Sequence, residues 1–390
     1  MRILVVHNNY GLYSGEEAVV DRMIDDGRKA GHFIETLRLT SEGSRDTFTG
    51  KIRGFFAGIY SFRGQHMMRK ALTEFHPDIV HVHNLYPFIS PAVLPICKRH
   101  GVPVVMTVHN YRLICPTGLF LRDGKPCEEC LNRGNEFGCL RHNCEHSLFR
   151  SAGYTLRNMV ARKTRAYIDN VDYFCCLTDF QRQKLIAAGY DESKIRVFPN
   201  YVDLVEPDKE SNNNSTERFV GYVGRLSHEK GYDLLLEVAR RHPEIEFRFA
   251  GTIRDGGQID VPDNVTLCGQ LDAAKLASFY VDSAFIVIPS RCYEGFPVAL
   301  LEASSHSRCC IAPSHGAFPD LITNSENGEV AGLLFTPLDV EDLDRKVISL
   351  WQNREEYERL GRIAELNYKS RFLKQKVNAD WNSFLKEVTQ

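Results

Sequence analysis

With 390 residues, the chain is too long for one ordinary hydrophobic core, so its length predicts two or three packed domains. Its composition, 43% hydrophobic and 25% charged with a net charge of -2, is typical of a globular protein and excludes wholesale disorder. No apolar run approaches the roughly 18 residues that span a bilayer, and the run from Ile3 to Val6 is too short for a signal peptide. We therefore expect a cytoplasmic protein.

The two halves of the chain differ in charge. Residues 1–203 carry a net charge of +6 and residues 204–390 a net charge of -8. A basic first half suits an anionic partner such as a membrane surface, and a chance imbalance of solvated charges explains so small an excess equally well.

Short apolar, β-branched runs alternate with helix-length amphipathic stretches along the chain, which is the pattern of parallel strands joined by crossover helices. In the first half, the predicted strands are Ile3 to His7, Asp78 to His83, Pro103 to Val108 and Tyr173 to Leu177. In the second half, they are Phe219 to Val223, Glu246 to Ala250, Ala284 to Ile288, Cys309 to Ala312 and Leu333 to Phe335. The sequence thus predicts an α/β protein with two doubly wound domains.

A polar stretch rich in Asn and Ser, residues 211–216, lies within residues 203–217 and predicts an inter-domain linker. We expect an N-terminal domain of residues 1–203, with a Cys-rich insertion at about 115–145, and a C-terminal domain of residues 204–370. From about Asp339 the pattern is helical to Gln390, and we expect residues 371–390 to join the N-terminal domain.

Candidate ligand-binding residues in the first half follow predicted strands, where open parallel sheets bind ligands. His7 ends the first strand, and Ser14-Gly15 then opens a helix whose free N–H groups favour an anion. A simple helix cap by Ser14 is the alternative. His109 follows the third strand, where a purely structural histidine is the alternative to a functional one.

The second half concentrates charged residues after two strands. Arg225 and Lys230 follow the strand at Phe219 to Val223 and precede a helix, so two cations and a helix N-terminus converge. This combination suits a diphosphate, and solvated surface charge is the alternative. Glu294 and Glu302 flank the start of another helix within an apolar stretch, where a carboxylate needs polar partners such as ligand hydroxyls.

These residues resemble family four of the retaining glycosyltransferases, which have the two-domain GT-B fold, and the resemblance spans nearly the whole chain. Glu294 and Glu302 have the spacing of that family's E-x(7)-E motif, and Gly295-Phe296-Pro297 is similar to its G-F-G/P turn. Arg225 and Lys230 are similar to its diphosphate-binding pair.

Two further positions resemble the same family. His109 with Asn110 is similar to its H-D/N pair. Ser14-Gly15 stands where the family usually has Gly-Gly, which is a departure on the acceptor side.

The resemblance implies two Rossmann-like domains that face each other across a cleft, with a C-terminal helix that crosses back to the first. It implies that Glu302 holds the donor ribose, Glu294 the hydroxyls of the transferred sugar, and Arg225 with Lys230 the leaving diphosphate. Gly295, Phe296 and Pro297 would line the donor site, with His109 and Gly15 beside the reacting centre. Fixed cations at the phosphate would make a catalytic metal unnecessary.

The function implied by the resemblance is transfer of a hexose-type sugar, with retained configuration, from a nucleoside diphosphate to a hydroxyl of a glycan or lipid-linked acceptor. The setting would be cell-surface polysaccharide synthesis in bacteria. A nucleotide-sugar epimerase or a glycan phosphorylase on the same fold is an alternative, as is a zinc-dependent binding module. We expect no nucleic-acid partner, because the acidic second half would repel a phosphate backbone.

Four cysteines, Cys127, Cys130, Cys139 and Cys144, lie within 18 residues and include a C-x2-C pair. This spacing predicts a structural zinc site, with Cys115 as an alternate ligand. An iron–sulfur cluster and unmetallated thiols are the alternatives.

Residues 146–168 combine five Lys or Arg residues with apolar side chains. Such a segment is typical of a helix that lies on an anionic membrane, here the inner membrane face, and ordinary packing with an exposed basic face is the alternative.

Overall fold

The computed structural model describes residues 1–10, 14–41, 47–208, 218–253, 257–323 and 328–390, without the side chains of Phe48 and Lys51. The predicted linker stretch at 211–216 lies outside these ranges. The chain divides into two compact units: unit 1 comprises Met1–Phe120, Glu128–Pro199 and Asn378–Gln390, and unit 2 comprises Leu121–Cys127 and Asn200–Val377. These divisions fall after residues 199 and 377, where the sequence predicted 203 and 370.

Unit 1 is built on a parallel sheet of six strands in the order β2-β1-β3-β4-β7-β8. Its strands are β1 (Arg2–Asn9), β2 (Phe33–Thr40), β3 (Ile79–Asn84), β4 (Val104–Val108), β7 (Tyr173–Cys176) and β8 (Ile195–Val197). Its helices are α1 (Gly15–Lys29), α2 (Phe48–Ile59), α3 (Phe62–Phe75), α4 (Leu94–Arg99), α5 (Glu129–Asn132), α6 (Phe137–Arg141), α7 (Leu148–Lys163) and α8 (Asp179–Ala187). Short 3₁₀ turns occupy Pro91–Val93 and Glu192–Lys194.

Unit 2 repeats this architecture with the strand order β11-β10-β9-β12-β13-β14, again parallel throughout. Its strands are β9 (Phe219–Val223), β10 (Phe247–Ala250), β11 (Val265–Gly269), β12 (Ser283–Val287), β13 (Cys310–Pro313) and β14 (Gly332–Phe335). Its helices are α9 (Tyr232–Arg241), α10 (Ala273–Asp282), α11 (Val298–Ser305), α12 (Phe318–Ile322), α13 (Val340–Trp351) and α14 (Arg354–Arg371), and α15 (Lys374–Val388) begins in this unit. A 3₁₀ turn occupies His228–Lys230.

Two doubly wound sheets are what the sequence predicted, and all nine predicted strands are present. Three strands of these sheets escaped prediction, β2, β8 and β11, and each lies at the edge of its sheet. An edge strand is less enclosed, so its apolar run is broken by exposed residues such as those of β2.

The segment predicted as a Cys-rich insertion is not a separate piece of structure. Its hairpin, β5 (Leu121–Arg122) with β6 (Lys125–Pro126), belongs to unit 2, whereas α5 and α6 belong to unit 1.

The helical tail predicted after Asp339 consists of three helices, α13 to α15. Residues 378–390 return to unit 1, where Phe384 and Leu385 are buried in one cluster with Ile3 and Val5.

Among the helices of the described residues, none combines the length and apolar character needed to cross a membrane.

Candidate active site

The carboxyl ends of two neighbouring strands of unit 2, β9 and β12, bring two loops together. The loop after β9 passes through the 3₁₀ turn His228–Lys230 and Gly231 into α9, and the loop after β12 leads to α11. Gly231 has a φ of 69°, and a Cβ there would lie 2.0 Å from the carbonyl oxygen of Pro289. Only glycine allows the two loops to approach this closely, so Gly231 sets the position of Lys230 beside the second loop.

The two loops are joined by an ion pair between Lys230 and Glu294. Lys230 Nζ donates to Oε1 and Oε2 of Glu294 at 2.7 and 2.9 Å, and the Ser290 hydroxyl also donates to Glu294 Oε1. Burial alone would lower the pKa of Lys230 and raise that of Glu294, but their mutual attraction reverses both shifts. Lys230 therefore stays cationic and Glu294 anionic, which fixes opposite charges within one pocket wall.

Arg225 lies close to this pair and is the more accessible of the two predicted phosphate-binding cations. Its side chain is 55% exposed and lies 3.5 Å from the buried carboxylate of Glu229. Its positive charge also helps to lower the pKa of Glu294, after the larger effect of Lys230. The structure thus brings Arg225, Lys230 and Glu294 together, with Arg225 open to an incoming anion.

Glu302 has different surroundings from the other predicted donor residues. It lies on α11, where its Oε2 accepts a hydrogen bond from the hydroxyl of Tyr280, on α10, at 2.7 Å. Its assignment to the donor ribose stays a prediction.

The three residues before α11 serve its start and its packing. Pro297 directly precedes the helix, and Phe296 is buried with its ring 5.9 Å from that of Phe372. Phe296 is therefore a packing residue here, and contacts of Gly295, Phe296 and Pro297 with a donor stay a prediction.

Side chains outside the predicted set of site residues hold the loops of unit 2 in place. Arg291 forms a bidentate ion pair with Asp233 and donates to the carbonyl oxygen of His228 at 3.0 Å. His315 Nε2 lies 3.0 Å from the carbonyl oxygen of Ser290. The positions of Ser290 and Arg291, directly after a buried strand, were the signal that could have identified them.

In unit 1, the turn at Ser14 is a capping box. Ser14 Oγ accepts from the Glu17 N–H at 3.3 Å, and the Ser14 N–H donates to Glu17 Oε2 at 2.8 Å. Gly15 is the first residue of α1, and a Cβ there would meet nothing within 4 Å. The cap considered as an alternative is thus present, and binding of a donor by Gly15 stays a prediction.

His109 belongs to a series of histidines on three adjacent strands of unit 1. His109 Nε2 lies 2.8 Å from Nδ1 of His83, whose ring lies 4.0 Å from that of His81 and 6.3 Å from that of His7. Burial lowers the pKa of His7 and His109 to about 4 and that of His81 to about 3. These rings are neutral near pH 7, so His109 is suited to hydrogen bonding rather than to carrying charge.

A second polar network of unit 1 lies next to these histidines and was not predicted. Arg112 donates to the hydroxyl of Tyr10 at 3.0 Å, and that hydroxyl donates to Glu16 Oε2 at 2.9 Å. Glu16 Oε1 lies 3.9 Å from Nδ1 of the fully buried His7. Arg112 follows β4 by four residues, and its nearness to that strand end was the available signal.

The cysteines predicted to bind zinc do not form a ligand set in the structure. Within the described ranges, no group of three or more His, Cys, Asp and Glu side chains is arranged to hold a metal ion. All four cysteines and Cys115 are thiols that form no disulfide among the described residues, and a hydrogen bond with Cys144, together with burial, raises the pKa of Cys139. The zinc site and its iron–sulfur alternative stay predictions, and the function proposed below uses neither.

Comparison with known families identifies the chain. Its residues 13–206 match the family model Glycosyltransferase Family 4, and residues 206–366 match Glycosyl transferases group 1. The chain belongs to the family 4 glycosyltransferases.

A sulfoquinovosyl transferase of Arabidopsis thaliana is 27% identical over 300 residues, 75% of this chain and 53% of that relative. An uncharacterised protein encoded in the cps region of Klebsiella pneumoniae is 25% identical over 52% of this chain and 57% of its own length. The chain thus spans about half the length of these two relatives.

A solved structure supports the same fold for this glycosyltransferase. HepE of Anabaena, solved with UDP and separately with UDP-glucose, matches 99% of this chain and 100% of its own, with a TM-score of 0.67 and 15% identity. The GT-B architecture predicted from the sequence is therefore confirmed.

Proposed function

We propose that the protein is a retaining glycosyltransferase that moves a hexose-type sugar from a nucleoside diphosphate to a hydroxyl acceptor. The observation that carries this proposal is the Lys230–Glu294 pair at the carboxyl ends of β9 and β12, with Arg225 exposed beside it. Departure of a nucleoside diphosphate builds negative charge on the phosphate, and fixed cations stabilise that charge. Transfer therefore proceeds here without a catalytic metal.

The acceptor that we propose is a glycan or a lipid-linked saccharide of the cell surface. Support comes from a relative encoded in a cps region and from a sulfoquinovosyl transferase. This chain matches about half of the length of each relative. Because HepE was solved with UDP and UDP-glucose, a UDP-sugar is the donor to test first.

Each residue at the proposed donor site has a physical role. Arg225 and Lys230 attract the diphosphate, Glu294 accepts hydrogen bonds from sugar hydroxyls, and Glu302 accepts one from the ribose. Lys230 already forms two hydrogen bonds to Glu294, so it is held in place before a donor arrives. This preorganisation lowers the entropic cost of binding.

The test is calorimetric titration with UDP, GDP, ADP and dTDP, followed by Lys230→Ala with the nucleotide that binds. Loss of a charge-assisted contact costs about 1.5 to 3 kcal/mol, which weakens binding roughly 10- to 150-fold. Lys275→Ala is the matched control, because Lys275 forms an exposed pair with Asp272 on α10.

Two results would contradict the proposal. One is unchanged nucleotide affinity in Lys230→Ala when the variant keeps the thermal stability of the parent protein. The other is phosphate-dependent cleavage of a glycan in place of release of nucleoside diphosphate from a sugar donor, which would indicate a phosphorylase.

A further inference from the structure

Unit 1 has a surface where large apolar side chains are exposed. It consists of Phe56 on α2, Tyr60 directly after α2, Phe62 at the start of α3, and Leu148 and Phe149 at the start of α7, and we call it the aromatic face. The exposed fractions of Phe56, Phe62 and Leu148 are 64%, 79% and 67%. Of the six aromatic residues that are strongly exposed in the described part of the chain, four lie on this face.

Ring contacts join these residues in two groups that adjoin along the chain. Phe149 stacks on Phe55 at 5.0 Å between ring centroids, and Phe55 contacts Phe56 at 5.3 Å. Tyr60 directly follows α2, and its ring lies 4.9 Å from that of Phe62. Single exposed apolar residues are normal on a protein surface, but a connected group indicates a binding surface.

The charge around the aromatic face is positive. Residues 47–73 contain five Lys or Arg residues and no Asp or Glu, and residues 146–168 have the same composition. Arg53, Arg63 and Arg150 are exposed next to the rings, and Arg53 lies three residues before Phe56 on the same side of α2. The nearest acidic partner of Arg150, Glu145, is 4.0 Å away.

We propose that the aromatic face docks on an anionic membrane surface, with its rings at the level of the lipid headgroups and its arginines on lipid phosphates. Phe and Leu side chains insert at the boundary between headgroups and acyl chains, and Tyr favours the interface because its ring is apolar and its hydroxyl is polar. Residues 47–73 contain no carboxylate that would repel an anionic surface, and the Glu145 carboxylate near α7 lies beside the positive charge of Arg150. A second protein copy fits less well, because the same positive face would meet itself.

The sequence suggested a membrane contact along residues 146–168, whereas the aromatic face lies mostly outside that segment. Most arginines of residues 146–168 are engaged within unit 1: Arg157 is buried against Tyr86 and Tyr154, Arg162 pairs with Glu136, and Arg165 pairs with Asp169. Only the beginning of α7 remains for a membrane, and the segment from α2 to the start of α3 supplies the larger part of the surface.

Sedimentation with lipid vesicles tests the proposal on the full chain. We expect binding to vesicles of phosphatidylcholine with phosphatidylglycerol, and much weaker binding to phosphatidylcholine alone. Phe56→Ser with Phe62→Ser should weaken the partition at least about tenfold. Arg53→Gln and Arg63→Gln should each weaken it about fivefold, an effect that salt reduces.

Phe33→Ser is the matched control, because Phe33 is 71% exposed on the edge strand β2, away from the aromatic face in sequence. Failure of the parent protein to bind anionic vesicles would overturn the proposal, as would equal losses in the control and the double variant. A concentration-dependent dimer that Phe56→Ser with Phe62→Ser abolishes, seen by analytical ultracentrifugation, would assign the face to a second copy instead. Vesicle binding does not require transfer activity, so this proposal and the proposed function can fail separately.

Discussion

At the scale of single residues, the candidate donor site depends on side chains that fix one another before any ligand binds. Lys230 and Glu294 are oppositely charged partners, and each shifts the other's pKa away from the direction that burial alone would impose. Such a pair is costly to break, because the remaining charge is left without compensation in a poorly hydrated place. The position of Lys230 also depends on the backbone at Gly231, because this glycine sets the distance between the two loops.

Gly231→Ala should destabilise unit 2 by at least about 2 kcal/mol, because a left-handed backbone disfavours Ala and the new Cβ would overlap the Pro289 carbonyl. The unfolding free energy from urea denaturation measures this effect. Gly257→Ala is the matched control, since a Cβ there meets nothing within 4 Å. Equal stability of the two variants would show that the loops can move apart at no cost.

Sequence patterns predicted Arg225, Lys230, Glu294 and Glu302 as one group, and the structure places the first three together. The reason is that a parallel sheet puts every strand's carboxyl end at one edge, so position after a strand predicts nearness. The sequence could not show that Glu302 contacts Tyr280 or that Phe296 packs against Phe372, because these contacts depend on how helices pack.

At the scale of elements, the central strands were predictable, whereas three of the four edge strands were not. Strands β1, β3, β9 and β12 are buried along nearly their whole length, whereas β2 and β11 are largely exposed on one side. The central strands of unit 1 also carry polar residues inside the sheet, since β1 and β3 bury His7, His81 and His83. Burying neutral imidazoles links the stability of unit 1 to pH.

Unit 1 should lose stability as the pH falls from about 6.5 to about 4. Burial lowers the pKa of His7, His81 and His109, so in this window the unfolded chain binds protons that the folded chain excludes. Each such histidine contributes a slope of about 1.4 kcal/mol per pH unit, and this contribution is fully present above pH 6.5.

Urea denaturation at a series of pH values measures this slope. His7→Gln should reduce the slope by the contribution of about one proton, because His7 is fully buried and neither of its ring nitrogens has a hydrogen-bond partner. If His7→Gln has the same slope as the parent protein, then His7 binds a proton in the folded chain as readily as in the unfolded chain.

At the scale of the whole molecule, unit 1 is assembled from both ends of the described chain. Its first strand and its last helix share a buried cluster, in which Phe384 contacts Tyr173, Phe198 and Trp381. Residues 378–390 are thus a structural part of the N-terminal unit, an arrangement that the sequence indicated from the apolar face of the tail.

Phe384→Ala should therefore destabilise unit 1 by about 3 to 5 kcal/mol, the usual cost of emptying a buried aromatic site. Leu366→Ala, at a position 63% exposed on α14, should change stability little. Hydrogen exchange can locate the effect, because amides of β1 and β7 should lose protection while those of β9 and β12 keep theirs. Loss of protection in unit 2 alone would contradict this placement of α15.

The return of residues 378–390 to unit 1 also imposes an order on biosynthesis. Apart from its small hairpin, unit 2 is a continuous stretch that is synthesised before residues 378–390, whereas unit 1 lacks Phe384 and Leu385 until those residues have been made. The nascent amino-terminal half must then wait, with part of its interior uncovered, for α15 to arrive.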